Sequence, residues 1–189
     1  GRRDAVAPAA DAILEKHGRV DILVNNAGAN WAEPAEAHSI EGWDRVVNLN
    51  LTGTFLLTQR IAARAMIPAK YGRIVNVASV NGLIANDPRL VLTAAYVTTK
   101  HGLVGLTKQL AAEWGRHGIT VNALCPGFFP SKMTRATLDK DGAFLVAGTP
   151  TGRLGGDQDL KGAAVLLASD AGAHITGHAL VVDGGASII

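Results

Sequence analysis

The sequence predicts an α/β domain built on a doubly wound parallel sheet. Its candidate strands are short and almost wholly apolar, as in V-D-I-L-V-N at residues 20–25, and they do not alternate between apolar and polar positions. Strands of this kind are typical of parallel sheets that are covered on both faces. A helical pattern separates each candidate strand from the next, which indicates crossover connections between parallel strands.

Eight elements are expected, with helices and strands in alternation. The first helix carries Ile13 and Leu14 among its apolar positions, and the second opens near Ser39, with Glu41 in its first turn and Pro68 at its expected end. The later strands read R-I-V-N-V-A and I-T-V-N-A-L. In chain order, the predicted elements are a helix at 4–17, a strand at 20–25, a helix at 39–66, a strand at 73–78, a helix at 94–116, a strand at 119–124, a helix at 157–169 and a strand at 178–182.

The composition fits one globular domain over residues 1–189 and narrows the classes of function. Hydrophobic residues make up 48% of the chain and charged residues 18%, so there is enough apolar material for a core. The formal net charge of +2, without long blocks of Lys and Arg, argues against nucleic acid as a partner. No apolar run reaches the ~18 residues of a membrane span, so no membrane partner is expected.

The cysteine usage indicates a reducing environment. Cys125 is the only cysteine, so it has no partner for an internal disulfide, and no Cys or His stands at metal-ligand spacing from it. We expect Cys125 to be a small buried hydrophobe. A cytoplasmic protein without a metal site is the resulting prediction.

Residue types suited to a ligand site stand where the predicted strands end. Doubly wound sheets bind ligands at the carboxyl ends of their strands. The first strand runs into N-N-A-G at 25–28, Ser79 follows the second strand, and Pro126-Gly127 follows the third. Glycine lets a ligand approach the backbone closely, and Ser79 would point its hydroxyl into the crevice. The N-N-A-G segment could also be an ordinary βα turn, and Ser79 could be a helix N-cap serine.

Tyr96 and Lys100 stand four residues apart on a predicted helix, which places them on one face, one turn apart. A free tyrosine titrates near pH 10, too high for ready proton exchange at neutral pH. An ammonium about 4 Å away would contribute roughly 4 kcal/mol at an effective dielectric near 20, which is about three pKa units. We therefore expect Lys100 to lower the pKa of Tyr96 and make it an acid/base group. The other interpretation is a half-exposed aromatic ring beside a solvated lysine.

Residues 128–150 are predicted to form a mobile lid over a substrate, because their composition is irregular and includes Gly and Pro. The other interpretation is a surface loop. The lid permits an apolar substrate with a polar or acidic end, yet sugar acids, acyl thioesters and steroids all stay open. Its notable side chains are Phe128, Phe129, Lys132, Met133, Arg135, Phe144 and Leu145.

Together and in this order, these motifs resemble the short-chain dehydrogenases/reductases of the compact type, over essentially the whole chain. The resemblance rests on N-N-A-G at 25–28, Asn50 within V-V-N-L-N-L, Ser79, the Tyr96/Lys100 pair, Pro126-Gly127, Ser131 where the family often has threonine, and the D-G-G at 183–185. It implies a Rossmann-like fold and an oxidoreductase that interconverts a secondary alcohol and a ketone with NAD or NADP. It also implies a homotetramer, which suits the apolar residues on more than one face of the helices at 39–66 and 94–116.

The resemblance assigns a role to each matching residue. Tyr96 would exchange a proton with the substrate, Lys100 would lower the pKa of Tyr96 and bond the nicotinamide ribose, and Ser79 would polarise the substrate oxygen. Asn50 would hold a water that links Lys100 to solvent. The implied cofactor contacts are Asn26, Ala27, Gly28, Asn50, Tyr96, Lys100, Pro126, Gly127, Phe129 and Ser131.

Two features depart from the family pattern. Ser79 and Tyr96 are 17 residues apart, a few more than usual, and the extra residues fall around 86–89 beside the pocket. We expect them to shape substrate choice, although a longer surface turn is the other interpretation.

The second departure is the absence of a Gly-rich fingerprint before Asn25, which predicts that roughly 60 residues are missing, two βα units of about 30 each. The sheet would then lack its first βαβ strands, and residues 20–25 would form a hydrophobic edge. NAD and NADP cannot be distinguished without that segment. The alternative functions are therefore a non-catalytic, truncated scaffold unable to bind cofactor, and a lyase or epimerase on the same fold.

Overall fold

A computed structural model describes residues 3–189 and contains a four-stranded sheet in the order β1-β2-β3-β4, with every neighbouring pair parallel. The strands are β1 (Ile22–Asn25), β2 (Gly72–Val77), β3 (Ile119–Pro126) and β4 (Ala179–Val182). This sheet with its flanking helices confirms the predicted Rossmann-like α/β class. About half of Ile22 and of Val24 is exposed on β1, which is the predicted hydrophobic edge of the described sheet.

The helices follow the predicted alternation. They are α1 (Val6–His17), α2 (Ile40–Val47), α3 (Thr54–Ile61), α4 (Ile67–Ala69), α5 (Ala94–Trp114), α6 (Arg135–Ala147) and α7 (Lys161–Ala168). Two π-helical segments, Asn48–Gly53 and Ala62–Met66, join α2, α3 and α4 into one long helical stretch. Ser39 caps its start, because its side chain accepts a hydrogen bond from the Gly42 amide at 3.2 Å. None of the helices within residues 3–189 has the length and apolarity needed to cross a membrane.

Three predicted boundaries were wrong. Pro68 does not end the long helix at once, because the fixed φ of proline, about −65°, is compatible with a helix. The helix runs to Ala69 and ends at Lys70 in a left-handed conformation (φ 50°). Residues 157–160 form a turn, so the last helix begins only at Lys161. The segment 128–150 is not irregular throughout, since it contains the 13-residue α6. The Leu, Ala and Lys residues of α6 favour a helix despite the flanking Gly and Pro residues.

The core lies on both faces of the sheet. On one face, Ile74 and Val121 pack with residues of α1, α3 and α5, including Ile61 and Leu110. On the other face, Val75 and Leu124 pack against Leu167 of α7. Successive residues of a strand point to opposite faces, so adjacent residues such as Ile74 and Val75 enter different clusters. Cys125 is fully buried, as predicted for a small hydrophobe.

A buried polar network fixes the helices against the sheet. Asn25 and Asn76 are register partners on β1 and β2, and the Asn25 amide donates to the Asn76 side-chain oxygen at 2.8 Å. The Asn25 amide also donates to Thr58 of α3, and the Asn76 amide donates to Thr107 of α5. Because buried amides need partners, this network specifies how α3 and α5 sit on the sheet.

Gly118 is expected to tolerate no side chain. Its φ of +72° lies in the left-handed region, and an added Cβ would overlap the carbonyl oxygen of Lys70. Gly118→Ala is therefore expected to lower the free energy of unfolding by about 2–4 kcal/mol, from left-handed strain plus the clash. For a domain of this size, that lowers the midpoint of thermal unfolding by roughly 5–15 °C, which circular dichroism can measure.

Gly105→Ala is the matched control for this prediction. Gly105 lies within α5, and a Cβ added there would have no heavy atom within 4 Å. This exchange should leave the midpoint unchanged or raise it, because alanine is the better helix former by about 0.5–1 kcal/mol. A Gly118→Ala protein as stable as the Gly105→Ala protein would contradict the clash.

Candidate active site

Asn50 ties the turn after β1 to helix α5. It lies in the π-helical segment Asn48–Gly53, and only 2% of it is exposed. Its side-chain oxygen accepts from the Ala29 amide at 2.8 Å, and its amide donates to the Ala29 carbonyl at 2.9 Å and to the Thr99 hydroxyl at 3.1 Å. Such π-helical turns occur frequently at functional sites.

Gly28 brings the backbone of the N-N-A-G turn against the site. A Cβ added to Gly28 would lie 3.7 Å from the side-chain oxygen of Asn50 and 3.9 Å from the Lys100 Nζ. A larger residue would therefore fill the space in front of the lysine. This is the close backbone approach expected from the sequence.

Lys100 is buried, and its Nζ donates to the Val77 carbonyl at the end of β2 at 2.7 Å. The Nζ lies 5.4 Å from the centroid of the Tyr96 ring, one turn earlier on α5. Burial lowers the pKa of the Lys100 ammonium to about 8, a shift that Cys125 opposes. An ammonium carries three donors, so two remain for other partners.

Tyr96 and Ser79 face each other where β2 and α5 meet. Burial raises the pKa of Tyr96, and a hydrogen bond with the Ser79 side chain opposes that rise. Ser79 follows β2, and its Oγ also accepts from the Asn81 amide at 3.1 Å. The expected low pKa of Tyr96 was wrong for this structure, because desolvation of the phenolate raises the pKa by more than the hydrogen bond with Ser79 lowers it.

A cavity of about 390 Å³ opens beside Lys100 and Tyr96. Ser79 and eight of the ten predicted cofactor contacts line it, namely Asn26, Gly28, Tyr96, Lys100, Pro126, Gly127, Phe129 and Ser131. Asn50 lies behind Gly28 instead, and Ala27 lines a separate recess with Asn25 and Leu49. Ser131 forms a cluster of hydrogen bonds with Thr134, including a 2.9 Å contact between the two hydroxyls.

A smaller cavity of about 80 Å³ also borders Ser79 and Tyr96. The two cavities share five lining residues, Ser79, Tyr96, Gly127, Met133 and Thr134. The small cavity is also lined by four polar residues that the sequence did not single out, Asn30, Asn81, Thr93 and Thr137. The nearest signal in the sequence was the position of Asn81, two residues after Ser79. A third cavity of about 390 Å³ continues beyond Phe128.

The extra residues around 86–89 form part of the wall. Asp87 and Arg89 make an ion pair at 2.6 Å, and the Arg89 guanidinium lies 5.3 Å from the centroid of the Phe144 ring on α6. The Asn86 amide donates to the Val91 carbonyl at 3.2 Å, and Asn86 lines both the small and the third cavity. The segment thus connects the cavity to α6.

The D-G-G motif braces the turn at the end of β3. The Gly127 amide donates to the Val182 carbonyl at 3.0 Å, and a Cβ at Gly127 would come within 2.7 Å of the Asp183 Cβ. Asp183 in turn accepts from the amides of Gly185 and Ser187, each at 2.8 Å. Pro126 and Gly127 are therefore held at the border of the cavities.

The sequence and the structure both match known enzymes. Residues 1–187 match the family model described as enoyl-(acyl carrier protein) reductase. The chain is 43% identical to D-threitol dehydrogenase of Mycolicibacterium smegmatis, over 97% of this chain and 69% of that protein. It is 41% identical to the 3-oxoacyl-[acyl-carrier-protein] reductase of Escherichia coli, over 93% of this chain and 71% of that protein.

A solved structure supports the same relationship. The crystal structure of a gluconate 5-dehydrogenase from Burkholderia cenocepacia in complex with NADP and tartrate superposes with a TM-score of 0.93 at 36% identity. The match covers 100% of this chain and 72% of that one. Because the family model matches residues 1–187 of the 189, the chain belongs to the short-chain dehydrogenase/reductase family and is an oxidoreductase that uses NAD or NADP.

Proposed function

We propose that the protein interconverts a secondary alcohol and a ketone by hydride transfer, with Tyr96 exchanging the proton. The observation that carries this proposal is the position of the Tyr96 and Ser79 side chains, which border both the cavity beside Lys100 and the small cavity. A substrate oxygen in the small cavity would meet the same two hydroxyls that face a cofactor in the larger one.

The residues around the larger cavity fit a nicotinamide cofactor. The bound cofactor supplies the hydride donor or acceptor, chemistry that the protein itself does not provide. The two remaining donors of the Lys100 ammonium suit ribose hydroxyls, and the glycine backbone at Gly28 leaves room in front of it. Pro126, Gly127, Phe129 and Ser131 would border the nicotinamide, and Asn26 and Ala27 would contribute from the turn after β1.

The electrostatics of the site suit proton donation to a carbonyl. Because burial raises its pKa, Tyr96 keeps its proton at neutral pH and can donate it to the developing alkoxide. Ser79 would donate a hydrogen bond to the same oxygen. The Lys100 ammonium would stabilise the phenolate that remains. In the reverse direction, Tyr96 must first lose its proton, so alcohol oxidation is favoured by higher pH.

Asn50 acts in this proposal chiefly as a positioning residue. Its three hydrogen bonds join Ala29 of the cofactor turn to Thr99, which neighbours Lys100 on α5. The water between Asn50 and the lysine, which the family resemblance implies, stays a prediction. Both roles depend on the same buried amide.

The segment 128–150 is proposed as the cover of the substrate site. Phe128, Met133 and Thr137 line the small cavity, while Phe144 and Leu145 line the third one. A helix such as α6 can close over a substrate as a unit and exclude water from the hydride transfer.

Cofactor titration tests the proposed function directly. The complete protein that contains this chain is expected to shift and enhance the fluorescence of NADPH or NADH on binding. It should then oxidise the reduced cofactor stoichiometrically when a ketone is added. Absence of cofactor binding would favour the scaffold alternative, and turnover without net cofactor oxidation would favour a lyase or epimerase.

The assembly is proposed to be a homotetramer, and the cytoplasmic location also stays a prediction. Apolar side chains on several outer surfaces support an assembly: Ile40 and Trp43 on α2, Val165 on α7 and Ile188 near the C-terminus are all at least one-third exposed. Sedimentation equilibrium is expected to give four times the mass of one chain. A mass equal to one chain at micromolar concentration would refute the tetramer.

A further inference from the structure

We propose that the substrate is a small, uncharged polyhydroxy compound, an alditol or the corresponding ketose, and that Asn81 and Thr137 select it by hydrogen bonding to its hydroxyl groups. This inference rests on the proposed function and adds the class of substrate. It follows from the side chains of the small cavity beside Ser79 and Tyr96.

The small cavity brings several uncharged polar side chains together. Of its thirteen lining residues, eight are Asn, Ser, Thr or Tyr, and none is Asp, Glu, Lys, Arg or His. Besides Ser79 and Tyr96, which face the reacting carbon, the polar set supplies amide and hydroxyl groups from three directions: Asn30 after β1, Asn81 after β2 and Thr137 on α6.

Several of these groups lack partners. Asn81 and Thr137 are half-buried, and within residues 3–189 their side-chain amide and hydroxyl form no hydrogen bond with the protein. The Asn30 oxygen accepts from the Trp31 amide, which leaves the Asn30 NH₂ group to donate. The Asn86 NH₂ group is bonded to Val91, which leaves its oxygen to accept. A hydroxyl both donates and accepts, so neighbouring hydroxyls on a substrate satisfy all these groups.

The charges around the cavity disfavour an acidic substrate. Two nearby cations on the side of the third cavity are already paired, Arg89 with Asp87 and Arg153 with Asp159 at 2.5 Å. Lys100 and Lys132 line the cavity assigned to the cofactor. A carboxylate held in the small cavity would lose hydration and meet no cation among the residues that line that cavity, which is costly.

An apolar substrate chain in the small cavity is also disfavoured, because it would leave polar side chains unpaired. It would cover the Asn81 and Thr137 side chains without bonding them, and an unpaired buried polar group costs more than a typical hydrogen bond contributes. Sites built to bond a substrate hydroxyl therefore reject analogues that lack it by large factors.

The test compares three alcohols with the complete protein saturated with its oxidised cofactor. The probes are threitol, 2-butanol, which has the same chain length without the other hydroxyls, and D-gluconate, which adds a carboxylate. We expect kcat/KM for threitol to exceed the values for 2-butanol and for gluconate by at least ~100-fold. The isosteric variants Asn81→Leu and Thr137→Val should each reduce kcat/KM for threitol by about 10–100-fold. Their rates with 2-butanol should change less than about threefold.

Two controls test whether the effect is specific to the small cavity and whether it arises in binding. Leu83→Ala changes an exposed residue of the same segment that lines none of the three cavities and should leave all rates unchanged. Calorimetric titration of threitol into the cofactor-loaded Tyr96→Phe protein measures binding without turnover, and adding Asn81→Leu should weaken that binding about tenfold or more.

The outcomes separate the inference from the function on which it rests. The polyol assignment would be overturned if kcat/KM for gluconate or 2-butanol exceeded the value for threitol, or if both variants kept the original kcat/KM for threitol. The proposed dehydrogenase function would still stand in that case. Absence of turnover with all three alcohols, together with absence of ketone reduction, would overturn the proposed function and this inference with it.

Discussion

Tyr96→Phe is expected to reduce kcat by about 10²–10⁴, the usual contribution of a proton-transfer group. The exchange removes only the hydroxyl, so the ring keeps its place on α5 and the fold is preserved. Ser79 keeps its hydrogen bond from Asn81 and its position after β2. Cofactor affinity should change little, because Lys100 still donates to Val77 and borders the same cavity.

Tyr71→Phe is the matched control, since the protein has two tyrosines. The Tyr71 hydroxyl donates to Asp170 at 3.1 Å, at the end of the sheet opposite to the candidate site. Its loss should leave kcat unchanged. Steady-state kinetics and cofactor titration of both variants provide the comparison, and a Tyr96→Phe protein with half of the original kcat would show that another group transfers the proton.

Lys100→Met is expected to reduce the rate of alcohol oxidation by roughly 10²-fold at pH 7. A unit charge at the 5.4 Å between the Lys100 Nζ and the Tyr96 ring centroid is worth about 3 kcal/mol at an effective dielectric near 20, or about two pKa units. Methionine fills a similar volume without the charge. The phenolate of Tyr96, already disfavoured by burial, would become harder to form.

The direction in which the pH–rate profile moves also tests this prediction. Oxidation requires Tyr96 without its proton, and removing the ammonium raises the pKa of Tyr96 further, so the rise of rate with pH should move to higher pH. In the unmodified protein, the Lys100 ammonium is present below its pKa of about 8 and is lost above it, so its help fades in alkaline solution. The difference between the two proteins should therefore be larger below pH 8 than above it.

Lys108→Met is the control for this series. Lys108 lies two turns further along α5 and is exposed, so its charge is screened by solvent. Its pH–rate profile should coincide with that of the unmodified protein. Identical profiles for Lys100→Met and Lys108→Met would show that Lys100 does not influence Tyr96.

Much of the fold was predictable because the relevant signals are local. The almost wholly apolar runs identified all four strands of the described part of the chain, and α5 was predicted within two residues at its C-terminal end. The misplaced boundaries lie at Pro68 and in α6, where local composition suggested an interruption, and at residues 157–160, where it suggested a helix. Tertiary packing decided those cases, since α6 is held over the site by contacts such as that of Phe144 with Arg89.

The candidate site was predictable only in part. The sequence identified Ser79, Tyr96, Lys100 and Asn50 because their spacing and order form motifs. It missed Asn81 and Thr137, which are 56 residues apart and meet only when α6 lies across the sheet end. It also predicted the wrong direction for the pKa of Tyr96, because the effect of burial cannot be deduced from a distance along a helix.

The sequence by itself determined the class of fold, because strand hydrophobicity is a property of the local chain. It also indicated the family and its oxidoreductase activity, because its motifs, in their order, resemble those of that family. Only the tertiary structure decided which side chains share a cavity and how far each is buried from solvent. Contacts such as Asn50 with Ala29, and the uncharged wall formed by Asn81 and Thr137, join segments that are distant along the chain. Such contacts and the burial they create set hydrogen-bond partners and local dielectric, and these quantities govern proton affinity and substrate choice.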